Sequence, residues 1–287
     1  MNYSKSLDTL VKDVYKPLED LSNGIPLPIT ESALDETMER LKGAILSWSN
    51  PTKRDSDFSL RMSNIGRPAR QLWYQKRDTS SNTVDAISQI KFLYGHILEE
   101  IVLMLVRMAG HDVTDEQKEV KVDNITGHMD CKINGEVVDI KSASNFAFKK
   151  FQQGRLADDD PFGYLGQLAG YEEAEGTNNG GFLVINKESG ELCLHRPEEL
   201  DKPNIKNKIN NLIASLDLDD KPERCYDPLP EGKKGNYKLP KSCAWCKYKF
   251  DCYNDANDGA GLRTFKYSNS LVYLTHVASE PQVEEIL

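Results

Sequence analysis

The chain has 287 residues, of which 39% are hydrophobic and 28% charged, with a formal net charge of −9. These values describe an ordinary globular protein with room for one large domain or two small ones. They exclude a protein that coats nucleic acid by bulk positive charge, and no apolar run approaches the ~18 residues that span a bilayer. The N-terminus lacks the basic-then-apolar layout of a signal peptide, so a cytoplasmic location is expected, or the host cytoplasm for a viral chain, with no membrane partner. The six cysteines then read as buried thiols or metal ligands and not as disulfides.

In chain order, Leu7, Leu10, Val11 and Val14 fall at helical spacing over residues 1–21. A Pro-rich break follows at 24–28, and Thr30-Glu31-Ser32 can cap a second helix to about Trp48. Residues 61–74 form a polar, glycine-bearing turn feeding a short helix. Arg67 and Arg70 at its start could bind phosphate, or be exposed arginines of a packing element. Residues 86–109 make the strongest helix, with Ile87, Ile90, Leu93, Ile97, Ile101, Met104 and Met108 as one apolar stripe. Glu99 and Glu100 stand within it. An acid inside so apolar a helix needs a partner if buried; a solvated Glu is the alternative for either. Gly110 can stop this helix, and residues 116–122 alternate like a strand.

The chemistry concentrates in residues 127–141. Asn134-Gly135 lies between two β-like runs, the strongest short signal for a two-residue type I′ hairpin turn. With that turn, Ile133 faces Glu136, Asp130 faces Asp139 and His128 faces Lys141. Opposed residues share a face, with Cβ atoms about 4.5–5.5 Å apart. One face is therefore expected to carry His128, Asp130, Asp139 and Lys141, and the other Met129, Cys131, Ile133, Val138 and Ile140 as core. Opposed like charges destabilise a hairpin, so two carboxylates beside a lysine ask for a cation. Magnesium takes oxygen ligands in octahedral geometry and keeps waters; Asp130, Asp139 and a helix carboxylate could hold one or two such ions. Lys141 could orient or deprotonate a metal-activated water, or stabilise a pentacovalent phosphate. The set suits phosphodiester hydrolysis better than acyl transfer, since no Ser or Cys stands in a nucleophile elbow. The competing reading is a surface hairpin with a solvated charged face.

After the hairpin, Lys149, Lys150 and Arg155 form a local basic cluster, or a solvated helix face. The stretch through Asp158-Asp159-Asp160-Pro161 reads as a loop or lid. Pro161 and Gly163 open a helix on which Gln167 and Tyr171, four apart, share a face. Residues 181–186 and 191–195 suggest a second hairpin around Ser189-Gly190, residues 198–217 return to helix, and Leu271–Leu274 has β character.

These residues resemble the PD-(D/E)xK nuclease superfamily, in its RecB-like and λ-exonuclease-like branch. The similar motifs are Ser63-x-Ile65-Gly66-x-x-x-Arg70-x-Leu72-Trp73-Tyr74, Gly95-x-x-x-Glu99, Gly127-His128-Met129-Asp130 with Asp139-Ile140-Lys141, and Gln167-x-x-x-Tyr171. With the cysteines below, they run in the family's order from about residue 63 to 252. The resemblance implies an α/β fold: a restriction-endonuclease-like core with a central mixed β-sheet flanked by helices. We place that core at 61–222, a helical N-terminal region at 1–60 and a Cys-rich segment at 223–287. It also implies Mg²⁺- or Mn²⁺-dependent cleavage of DNA, commonly from an end, as in phage DNA processing, recombination or repair, with a recombination or replication protein as a further partner. By resemblance Glu99, not Glu100, joins Asp130 and Asp139 as ligand, Lys141 is the catalytic lysine, and Gln167 and Tyr171 contact DNA near the scissile phosphate. Arg70, Lys149, Lys150 and Arg155 are the further DNA-binding candidates. The alternatives are a structure-specific endonuclease and a non-catalytic DNA-binding module that keeps the fold.

Cys243-x-x-Cys246-x5-Cys252 is similar to the C-terminal triad of the branch's iron–sulfur members, whose further cysteine lies two residues before the Arg of the N-terminal motif. That position is Pro68 here. Cys225 is the best replacement: it shares the C-terminal region, and a Pro/Gly-rich loop, Asp227 to Pro240, joins it to the triad. Cys131 points to the core and Cys193 lies in a candidate strand. The expectation is a structural site from Cys225, Cys243, Cys246 and Cys252, holding [4Fe–4S] ahead of Zn²⁺; ordinary thiols are the alternative.

Overall fold

In the computed structural model, residues 5–50, 58–80, 84–268 and 270–286 are described. In chain order the elements begin with α1 (Leu10–Ser22), α2 (Glu31–Ser49), α3 (Ala69–Arg77) and α4 (Ala86–Met108). Then come β1 (Val113–Thr114), β2 (Lys118–Val122), β3 (Ile125–Met129), β4 (Cys131–Ile133), β5 (Glu136–Ala143), α5 (Asn145–Gln152), α6 (Tyr164–Glu175), β6 (Gly181–Asn186), β7 (Leu192–His195) and α7 (Ile205–Asp217). The remainder is β8 (Leu229–Glu231), β9 (Asn236–Lys238), three short helices α8 (Lys241–Ala244), α9 (Lys249–Cys252) and α10 (Ala256–Gly259), then β10 (Arg263–Tyr267), β11 (Ser270–His276) and β12 (Glu284–Ile286). By packing, residues 1–66 with 80–209 make one unit and residues 67–79 with 210–287 a second.

The first unit is a mixed α/β layer structure. Its sheet runs β1-β4-β5-β6-β7. Only β5 and β6 are parallel; the other neighbours are antiparallel. The Asn134-Gly135 turn forms as expected, with both residues in the left-handed region (φ 52° and 88°), and Ile133 faces Glu136. The β6–β7 hairpin also forms around Gly190. On one face of the sheet, Leu10 and Val14 of α1 and Val102, Leu103 and Val106 of α4 bury Cys131, Ile133, Val138 and Ile140. α5 and α6 supply Phe148, Phe151 and Leu168 as buried residues, and Phe151 meets Phe182 of β6 edge-on at 5.5 Å.

The stripe expected on α4 is not its core face. Ile87 is 68% exposed and Ile90 50%, whereas Val102, Leu103 and Val106 are buried. A helix that is apolar nearly all round has no unique phase in its pattern; contact with β5 selects the face, and only the C-terminal half reaches it.

Two glycines carry close backbone approaches. A Cβ on Gly66 would lie 1.9 Å from the carbonyl oxygen of Gly163, and one on Gly127 would lie 2.4 Å from Met62 Cβ. Asp160, expected in a loop or lid, is a cap: its carboxylate accepts the N–H groups of Gly163, Tyr164 and Leu165 at the start of α6 (3.0, 2.9 and 2.9 Å).

His111 couples the N-terminal helix to the hairpin. Asn134 Nδ2 donates to its Nδ1 at 2.8 Å, which leaves Nε2 to donate to Asp13 Oδ2 at 3.2 Å. The ring is fully buried, and burial, partly opposed by Asp13, lowers its pKa from the usual 6.5. The unfolded chain therefore binds a proton that the folded chain resists. Stability contributed here is complete above about pH 6.5 and is lost as pH falls from there through the folded pKa. Urea titrations from pH 7.5 to 5 are expected to show this loss, with a shallower slope in His111→Gln; equal slopes would refute it.

The second unit has a five-stranded antiparallel sheet, β12-β10-β11-β9-β8. α3 belongs to it. Trp73 Nε1 donates to the Leu218 carbonyl at 2.9 Å, and Tyr74 Oη donates to that of Asp251 at 2.9 Å.

Candidate active site

The candidate residues meet where two strands part. β4 pairs with β5 from Ile133↔Glu136 to Cys131↔Val138, and the ladder stops there. Upstream the chain becomes β3, whose partner is β2. Asp130 stands at this joint, and its Oδ2 accepts the Ile140 N–H at 2.7 Å. A side chain thus replaces a ladder carbonyl and holds Asp130 beside β5. The same divergence corrects the expected place of His128. It lies opposite Glu119, exposed, with Nε2 3.8 Å from that carboxylate, and not opposite Lys141.

Asp139 and Lys141 share a face of β5. Asp139 is only 1% exposed, and neither of its oxygens makes a hydrogen bond of good geometry. Lys141 Nζ lies against Oδ2 as an ion pair and 5.0 Å from the centre of the Tyr164 ring. Glu99 comes from α4. Its Oε1 accepts from Gln117 Nε2 at 2.8 Å, and the Gln117 backbone N–H donates to the Asp130 carbonyl at 3.0 Å. Gln117 therefore ties the helix carboxylate to the strand joint, from a left-handed backbone (φ 51°) uncommon for a non-glycine residue. Nothing in its sequence context marks it, because no periodicity reveals a loop residue that bridges two elements. Glu100 turns to a separate network, with Arg40 at 3.7 Å and both Arg40 and Arg107 on Glu116.

The electrostatics follow from crowding acids in a buried place. Burial, then Glu100 and Asp139, push Glu99 up to about 7. Burial and then Asp139 lift Asp130 well above the usual carboxylate range. Burial opposes charge on Lys141, but Asp139 and Asp130 outweigh it and hold the ammonium above its ordinary pKa. Three carboxylates face one lysine, an excess of negative charge that a divalent cation would relieve. The oxygen donor set and the unpartnered Asp139 oxygens fit Mg²⁺ or Mn²⁺. Among the described residues, however, no group of three or more His, Cys, Asp or Glu stands ready-made around an ion; Lys141 lies in against Asp139.

Gln167 and Tyr171 do share a helix face: Gln167 Nε2 donates to Tyr171 Oη at 3.0 Å, and Tyr171 Oη donates to the His128 carbonyl at 2.7 Å. Tyr171 is 2% exposed, so it has no ring face for a base to stack on, and its expected DNA contact is corrected to a buried anchor for Gln167 and β3. The basic cluster is likewise largely neutralised. Lys150 pairs with Asp159 and Arg155 with Asp158, while Lys149 is exposed.

Arg70 is not a free phosphate ligand. Its guanidinium donates to Cys252 Sγ at 3.1 Å and to the carbonyls of Cys252 and Pro222. Cys225, Cys243, Cys246 and Cys252 are all reduced. They lie close enough that Cys243, pushed up to about 12, is raised first by burial and then by Cys225, Cys246 and Cys252. Four thiols in one neighbourhood fit a thiolate-bound metal by donor type, although they too are not preset around an ion.

No protein-family model and no curated protein matches the chain. Solved structures with a distant likeness include SSO0001 (14% identity, TM-score 0.38, over 74% of this chain and 93% of that one). Another is an alkaline exonuclease, LHK-Exo, from Laribacter hongkongensis (16%, 0.37, 65% and 92%). A third is LHK-Exo in complex with dAMP (13%, 0.34, 52% and 77%). Likeness at this level says nothing about activity.

Proposed function

We propose that the protein is a Mg²⁺- or Mn²⁺-dependent deoxyribonuclease that hydrolyses phosphodiester bonds from a DNA end. The observation that carries the reading is Asp139, a carboxylate 1% exposed and without a hydrogen-bond donor, set among Asp130, Glu99 and Lys141. Such a group is costly unless it serves a cation. Glu99, Asp130 and Asp139 would hold the metal, which when bound supplies an activated water and neutralises charge on the phosphoryl oxygen.

The chain's own residues do the rest. Gln117 fixes the Glu99 carboxylate through its amide, and the Ile140 N–H fixes Asp130. Lys141, held protonated, is suited to stabilising charge on the phosphate and not to taking a proton from water. To do so it releases Asp139 and turns its ammonium to the substrate. Gln167, braced by buried Tyr171, is placed to position the strand.

End-labelled linear DNA is expected to shorten progressively with Mg²⁺ and to stay intact with EDTA, while covalently closed circles persist. Rapid cutting of closed circles would replace the exonuclease with an endonuclease. Binding without cleavage under either metal would leave a non-catalytic module.

A further inference from the structure

The second unit carries a surface that the proposed chemistry does not use. From Lys233 to Phe250 the sequence holds six lysines (Lys233, Lys234, Lys238, Lys241, Lys247, Lys249) and no acid, in a chain whose net charge is −9. Aromatic residues interleave with them. Trp245 is 82% exposed, Phe250 51% and Tyr237 44%. They are not core residues of the unit; that role falls to buried Leu239, Tyr253, Phe265 and Leu274.

The rings and cations are arranged together. Lys249 Nζ lies 5.1 Å from the centre of the Phe250 ring and 4.8 Å from that of Tyr273. Phe250 meets Tyr273 edge-on at 5.9 Å. Tyr237 of β9 stands 6.5 Å from the His276 ring of β11. Lys233 and Lys234 are exposed at the β8–β9 turn. Lys238 and Lys247 pair with Glu231 and Asp78.

Exposed flat rings alternating with ammonium groups match a polyanion with accessible flat bases. A duplex offers the phosphates but hides its base faces in the stack; a single strand offers both. We propose that residues 233–250, with Tyr273 and His276 of β11, form a stacking platform for single-stranded nucleic acid, with Trp245 as its main anchor. This deepens the nuclease reading by naming a surface for the substrate strand, and it takes its functional sense from that reading.

The test is binding of oligo(dT) in EDTA, where no cleavage occurs. Trp245 is one of three tryptophans, so its emission is expected to quench on binding, with the quench lost in Trp245→Phe but affinity kept. Trp245→Ala and Phe250→Ala are each expected to weaken binding about tenfold, the scale of one lost base stack. Lys233→Glu with Lys234→Glu is expected to flatten the salt dependence by about one unit of slope. Unchanged affinity in both alanine variants, each folded by circular dichroism, would overturn the platform. A dimer that Trp245→Ala turns into a monomer, without effect on DNA binding, would also overturn it and make the patch a self-association face. Lys141→Ala, tested in parallel, is expected to bind fully and cut nothing. Binding through Trp245 by a wild-type chain that never cleaves would sink the nuclease alone; cleavage with Trp245-independent binding would sink the platform alone.

Discussion

Lys141→Ala and Asp139→Ala are each expected to slow DNA cleavage by a hundred- to thousandfold or more, on the order of losing one preorganised charge at a developing anion. The two should differ in how they fail. Lys141→Ala removes the ammonium but leaves the carboxylates, so the metal is expected still to bind. Addition of Mg²⁺ should still raise the melting temperature, since a ligand that binds only the folded state stabilises it by mass action. Asp139→Ala is expected to lose that rise. It should not unfold the protein, because it removes one of three mutually repelling acids and strands no buried donor: Lys141 keeps 20% of its side chain in water. A Lys141→Ala enzyme with near wild-type rate and unchanged metal dependence would end the assignment.

Cys243→Ser is expected to have the largest effect on stability. Structural metal sites in small domains contribute roughly 10–16 kcal/mol of apparent binding energy at neutral pH, and Cys243 is the cysteine raised by all three others. Without metal, burial and mutual proximity keep these thiols protonated; a bound metal reverses that preference by stabilising the thiolates. Arg70, with Nε 3.1 Å from Cys252 Sγ, adds a cation beside one of them. Protein purified without oxygen is expected to carry iron and to absorb at roughly 400 nm, as thiolate-ligated clusters do. The Cys243→Ser variant should lose both and melt lower. A colourless protein with one zinc ion would assign the site to zinc. A metal-free protein whose stability Cys243→Ser does not change would eliminate it.

Local rules in the sequence determined much of this protein. Asn134-Gly135 can hardly avoid its tight turn, because few residue pairs accept two consecutive left-handed conformations; the turn sets the register that puts Asp139 and Lys141 on one face. Helices α1, α2 and α4 and the β6–β7 hairpin were legible from periodicity and caps for the same reason: each depends on neighbours a few residues away.

What only the tertiary structure decided are relations between distant segments. The ladder's end at Asp130, and with it the exposure of His128, follows from β3 pairing with β2. The choice of Glu99 over Glu100 as the acid facing Asp139 follows from Gln117 on one side and Arg40 on the other, residues far apart in the chain. Tyr171 reads as a DNA contact in a motif and is a buried anchor in the fold, because helix spacing says which residues share a face but not whether water or protein lies against it. Likewise the packing of residues 67–79 with the C-terminal chain rests on long-range bonds from Arg70, Trp73 and Tyr74. Such contacts leave no period in the sequence, because their partners lie more than a hundred residues away.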